Sequence, residues 1–181
     1  MFAHRSPEEP LVVLGIDPGL TRCGYAAIQA TGPGKAIALS LGVIRTPASD
    51  PLPQRLAELR REFEALMSQF RPHAVAVEQV FFQNNVRTAM SVGQASGLAL
   101  AEAAICGCDV VQYSPNQVKD AIAGWGAASK EQVQRMVQSR LGLKCAPKPA
   151  DAADAAAIAL CHLAMAPMRA AVRSAQAGAR R

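Results

Sequence analysis

Hydrophobic positions divide the chain into blocks of two kinds. Leu11 to Ile16 is a nearly continuous apolar run closed by Asp17-Pro18-Gly19. A short run ended by a turn predicts a strand buried on both faces. Residues 23–30 and 36–45 predict two further strands, separated by Thr31-Gly32-Pro33-Gly34-Lys35, which has hairpin-turn composition. From Pro51 the period changes. Leu52, Leu56, Leu59, Phe63, Leu66 and Phe70 recur at helical spacing with Arg and Glu between them, which predicts an amphipathic helix ending before Pro72. Ala74 to Val77 predicts a fourth strand, closed by Glu78; residues 86–106 predict a helix rich in small residues, and Asp109 to Tyr113 a fifth strand. Ser114-Pro115 starts a short helix to about residue 123, with Ser as N-cap and Pro at the first helical position. Gly124-Trp125-Gly126 breaks it. Ser129 caps a helix to about 140, and Pro147 to Pro149 lead into an Ala-rich last helix from Asp151 to about 166.

This order predicts an α/β domain with a mixed five-stranded sheet flanked by helices. The first, fourth and fifth strands are expected to be parallel, the second antiparallel to its neighbours. Residues 1–10 are expected to be a disordered extension, 11–167 the folded domain and 168–181 a basic, disordered tail. The 181 residues suffice for one domain with a real core. With five Phe, two Tyr and one Trp, that core must rest on Val, Leu, Ile and Ala. A net charge of +5 suits a polyanionic partner, although part of the excess lies between Arg169 and Arg181. Five cysteines without a C-x-x-C pair exclude a disulfide framework and a structural zinc site, and point to reduced thiols in the cytoplasm. The first residues lack the apolar stretch of a signal peptide, and no segment is apolar enough to predict a membrane span.

Four acids then change the picture. Asp17 ends one buried strand and Glu78 another. Ligand sites of open α/β sheets lie at the carboxyl ends of strands. Adjacent parallel strands are about 4.8 Å apart, so these carboxylates are expected side by side. Burying and crowding two such charges is unfavourable unless something neutralises them. A hard divalent cation does so with oxygen ligands. Asp151 and Asp154, spaced i, i+3, share one face of a helix's first turn, where the dipole favours anions. The small residues Ala155-Ala156-Ala157 behind them allow that helix to lie close to the sheet. Taken singly, Asp17 suits a turn, Asp151 a helix cap and Glu78 a salt bridge. Together they suit a two-metal phosphoryl-transfer site.

At these residues the chain resembles a known family. Leu14-Gly15-Ile16-Asp17-Pro18-Gly19, Glu78-Gln79-Val80-Phe81 and Asp151-Ala152-Ala153-Asp154-Ala155 are similar to the motifs of the RuvC family of Holliday junction resolvases, in order and spacing, from about residue 11 to 166. The resemblance implies a ribonuclease H-like fold and a homodimer. It implies magnesium dependence, with manganese as substitute and two ions per site, and Asp17, Glu78, Asp151 and Asp154 as catalytic metal ligands. It further implies symmetric nicking of two opposed strands of four-way junction DNA, with 5′-phosphate and 3′-hydroxyl ends, and cooperation with the RuvA–RuvB branch-migration machine. The N-terminal stretch and Arg-containing tail depart from the pattern without touching the motifs.

Phe81 and Phe82 follow the Glu78 strand. Aromatic rings at such a rim can stack on an unpaired base, or pack in the core, which suits Phe82 better. Gln83-Asn84-Asn85 and Arg87 continue a polar loop suited to the DNA backbone. The resemblance places Lys119 and Lys130 near DNA phosphates, and Lys144 and Lys148 can extend a basic rim. Small residues from Ser91 to Ala103 suit a two-fold dimer seam or packing on the sheet. Asp17-Pro18-Gly19-Leu20-Thr21 also resembles the phosphate loop of actin-like and sugar-kinase-like ATPases, which need two such domains. A YqgF-type nuclease-like protein, or a junction-binding protein without catalysis, would share parts of the same pattern.

Overall fold

The first apolar run forms β1 (Val12–Asp17), the middle strand of a five-stranded sheet of order β3-β2-β1-β4-β5. The computed structural model describes residues 9–79 and 86–178. β2 (Arg22–Gly32) and β3 (Lys35–Arg45) form the predicted hairpin, closed through Pro33-Gly34, where Gly34 takes a φ of 69° that favours glycine. β1 pairs antiparallel with β2 and parallel with β4 (Ala74–Glu78), and β4 pairs parallel with β5 (Asp109–Tyr113). This is the mixed sheet that the sequence predicts.

Alternation along the strands sorts side chains into two layers. Leu14, Ile16, Val75 and Val77 pack with Leu59, Phe63 and Met67 of α1 (Leu52–Phe70) and with Ala95, Ala99 and Ala103 of α2 (Val86–Ile105). Val13, Ala74, Ala76 and Val111 face the other way. They meet Val118 and Ile122 of α3 (Pro115–Ala123), Val133 and Val137 of α4 (Lys130–Arg140), and the alanines of α5 (Ala150–Gly178). Ser114 and Ser129 cap α3 and α4 as expected, each in a reciprocal capping box with a glutamine, Gln117 and Gln132.

Helix α5 approaches the sheet at backbone distance. A Cβ on Gly15 of β1 would stand 2.2 Å from the Ala155 carbonyl oxygen, and one on Gly24 of β2 would stand 2.1 Å from that of Asp151. Glycine on the sheet and alanine on the helix together permit this contact.

The end of α5 differs from expectation. The helix runs past Pro167 to Gly178, so residues 168–178 are helical rather than disordered. An internal proline removes one backbone bond, and alanine, the strongest helix former, dominates on both sides of it. Arg169 lies 3.6 Å from the Asp109 carboxylate and ties the turn after the proline to β5. The expectations for residues 1–8 and 179–181 lie outside the described residues. No helix among the described residues is long and apolar enough to cross a membrane.

Candidate active site

Register brings the two sheet acids together. Ile16 pairs with Val77 across the parallel β1–β4 ladder, so the next residues, Asp17 and Glu78, end neighbouring strands on the same edge. The turn after Asp17 is tight. A Cβ on Gly19 would stand 2.1 Å from the Arg22 carbonyl oxygen. Thr46 Oγ1 donates to the Leu20 carbonyl, and Arg55 Nη2 donates to Thr21 Oγ1 at 2.7 Å, pinning this turn from the residue after β3 and from α1.

The Gly15 and Gly24 contacts set the first turn of α5 over the same edge. Asp151 and Asp154 thereby join Asp17 and Glu78, and the four charges act on one another. The Asp17 carboxyl is pushed up to about 7, first by burial, then by Glu78, Asp154 and Asp151, with Lys130 opposing. Glu78 is also held above the usual carboxylate range, by burial and Asp154, against Lys130 and Lys119. Asp151 is held below it, chiefly by its hydrogen bonds from Arg22.

Two cations answer the helix acids. The Arg22 guanidinium grips Asp151 Oδ2, with Nε at 3.1 Å and Nη2 also donating. Lys130 Nζ lies 2.7 Å from Asp154 Oδ2. Among the described residues no group of three or more His, Cys, Asp or Glu side chains is already arranged to hold a metal ion. Asp151 and Asp154 face Arg22 and Lys130 instead. The donor chemistry nonetheless suits a hard cation: all four groups are carboxylates, and among the described residues no cation forms an ion pair with either sheet acid.

Glu78, Asp154, Lys119 and Lys130 line one cleft of about 270 Å³ floored by Val118, Val133 and Ile158. Lys130 is thus part of the acid cluster and not only a surface lysine. Lys148 lines a separate depression with Gln134 and Pro147, so it does not join this cleft. Phe81, Phe82 and the polar loop 83–85 lie outside the described residues, as does the side chain of Arg87. Cys23, buried behind Asp17, has its thiol pushed up to about 12, mainly by burial, which keeps it protonated and unreactive. None of the five cysteines forms a disulfide.

Sequence reasoning missed Arg22, Gly15 and Gly24. The glycines carried a signal, since glycine inside a strand marks close backbone approach. Arg22 carried none, because its partner is 129 residues away.

The family model for crossover junction endodeoxyribonuclease RuvC matches residues 13–162. The chain belongs to the RuvC family. A RuvC from Desulfitobacterium hafniense is 49% identical over 152 residues, covering 84% of this chain and 92% of that one. One from Leifsonia xyli is 53% identical over 150 residues, covering 83% and 72%. The structure of Thermus thermophilus RuvC superposes with a TM-score of 0.82 at 43% identity, covering 87% of this chain and 96% of that one. The same protein in complex with Holliday junction substrate superposes with a TM-score of 0.84. The yeast mitochondrial Holliday junction resolvase Ydc2 shares the fold, with a TM-score of 0.64 at 18% identity. The RuvC match makes the architecture ribonuclease H-like, as expected, and the chain a crossover junction endodeoxyribonuclease. Membership of this family disfavours an ATPase, a YqgF-type protein and a non-catalytic junction binder.

Proposed function

We propose that this chain resolves Holliday junctions in recombination and repair in the cytoplasm, using Asp17, Glu78, Asp151 and Asp154 to hold magnesium or manganese, two ions per site. The convergence of two strand-end acids with two acids at a helix start carries this reading. Bound divalent ions supply an activated water and offset charge on the departing oxygen. Attack in line on phosphorus, with the 3′ oxygen leaving and taking up a proton, yields a 5′-phosphate and a 3′-hydroxyl.

The chain's own groups do the rest. The parallel β1–β4 register fixes the backbone of Asp17 and Glu78 at neighbouring strand ends, so their carboxyl groups start from adjacent positions. Arg22 and Lys130 offset charge on Asp151 and Asp154 before metal is present. Lys119 and Lys130 border the cleft and would meet phosphates of the bound strand. Phe81 serves for base contact in the same reading, and Phe82 and Arg87 serve as further DNA contacts.

A homodimer with two-fold symmetry is part of this proposal, because a four-way junction offers two equivalent strands. Helix α2 supports it. Met90 and Ile105 are 59% and 69% exposed, and Gly93 and Gly97 have nothing within 4 Å of a would-be Cβ, while Ala95, Ala99 and Ala103 face inward. That leaves an outward stripe on which a second α2 can pack closely. The RuvA–RuvB machine is the proposed partner.

Incubation with a synthetic four-way junction tests the function. Paired nicks in opposed strands with magnesium, and none with chelator, are expected. Intact junction under both conditions would overturn the reading.

A further inference from the structure

Trp125 is the chain's only tryptophan. It is 52% exposed, whereas the aromatic rings of Phe63 and Tyr113 are buried in the core. The residue sits in the connection between α3 and α4, between Gly124, with φ 85°, and Gly126. This connection is anchored at both ends. The Gly124 N–H donates to the Asp120 carbonyl at 2.9 Å, and the Ala128 N–H donates to the Trp125 carbonyl at 3.2 Å. Ala128 itself is buried. The loop therefore presents an indole to solvent from a fixed base.

Its neighbours in sequence point to the occupant. Lys119 lies on the preceding helix and Lys130 opens the following one, and both line the cleft with Glu78 and Asp154. Lys130 is five residue steps along the chain from Trp125, and an extended chain spans at most about 3.6 Å per residue, so their Cα atoms lie within about 18 Å. That distance is about five nucleotides of a duplex strand. A strand passing the two lysines at the cleft comes within reach of the indole. The dimer stripe on α2 is no competitor, since α2 packs on the opposite face of the sheet from α3 and α4.

We propose that Trp125 stacks on an unpaired base of the bound DNA, as a binding contact beside the acid cleft. The inference rests on the reading that this chain binds a branched DNA. Lysines attract the polyanion, while an exposed aromatic face rewards only a strand whose bases are unstacked. The junction's branch point supplies such bases and a continuous duplex does not.

With one tryptophan in the chain, emission excited selectively at tryptophan reports on this residue alone. The full-length protein is titrated in chelator with an immobile four-way junction and with a linear duplex. Anisotropy of a dye-labelled copy of each DNA measures binding independently. The tryptophan emission is expected to be quenched along the same isotherm as the junction anisotropy, and less by the duplex. Trp125→Ala should weaken junction binding roughly five- to tenfold, and Trp125→Phe should retain most of the affinity. Saturable junction binding with unchanged emission, or wild-type affinity in Trp125→Ala, overturns the stacking role while leaving the function standing. Emission that shifts on dilution of the protein without DNA assigns Trp125 to a contact with a second copy and overturns it too. No anisotropy change with any junction overturns both readings.

Discussion

The two pairs of acids meet at one place, yet the fold treats them oppositely. Asp17 and Glu78 are presented by strands, sunk at the sheet edge, and pushed toward their neutral forms by burial and by neighbouring carboxylates, Glu78 and both helix acids for Asp17 and Asp154 for Glu78. Asp151 and Asp154 are presented by a helix, nearer to solvent, and each is met by a cation. The difference teaches where the unsatisfied charge lies. Among the described residues, the helix acids each have a cationic partner and the sheet acids have none. A divalent cation therefore gains most from the sheet pair.

Cleavage separates the pairs most strongly. Asp17→Asn and Glu78→Gln are expected to lower the junction-cleavage rate roughly a thousandfold or more, with binding retained. Asp151→Asn and Asp154→Asn should also cut poorly. Cleavage surviving better in the sheet-acid variants than in the helix-acid variants would reverse the ranking.

Backbone contact between helix and sheet comes next. Gly24→Ala places a methyl group onto the Asp151 carbonyl and forces α5 outward. Overpacking of this kind costs about 1–3 kcal/mol, and here it also displaces Asp151. Denaturant melts should show the loss. Wild-type stability in this variant would mean that α5 does not sit where the sheet glycines allow.

Stability against pH sharpens the contrast. The unfolded chain releases the Asp17 proton near pH 3.8, and the folded chain near 7. Between those values the folded state binds more protons, so this group makes the metal-free protein less stable as pH rises from about 4 to 7. Asp17→Asn removes the penalty and should stabilise the metal-free protein at pH 7 by on the order of 3 kcal/mol, and hardly at all near pH 4. Asp151 has the opposite sign, because its folded carboxyl is held low. It contributes stability above its ordinary titration range, lost as pH falls through the folded value. A chelator-treated melt series from pH 4 to 8 checks both.

The smallest effect belongs to Arg22. Its side chain is 37% exposed, so solvent screens the pair with Asp151. Arg22→Gln should lower the stability of the metal-free protein only slightly. A larger loss would show that this ion pair, and not glycine contact, seats the start of α5.

Much of this was legible in the amino-acid sequence. The apolar runs before Asp17 and Glu78 revealed both the strands and the acids at their ends, since a strand buried on both faces leaves few other readings. Ser114 and Ser129 marked their helix starts through local capping chemistry. What escaped depended on distant partners. Lys130 was expected near DNA phosphates, and its pairing with Asp154 escaped because that carboxylate lies 24 residues further on. Helix α5 was expected to end near Pro167 because local rules weigh a proline without the alanines and the Asp109 contact that carry the helix beyond it.

Proton release on metal binding tests the claim about the sheet acids most directly. Magnesium titrations by calorimetry, in buffers of different ionisation enthalpy, count the protons displaced. If Asp17 is half-protonated near neutrality, about half a proton per chain should leave at pH 7, rising toward one at pH 6 and falling toward none at pH 8.5. Saturable binding with no proton release at pH 6 would contradict it.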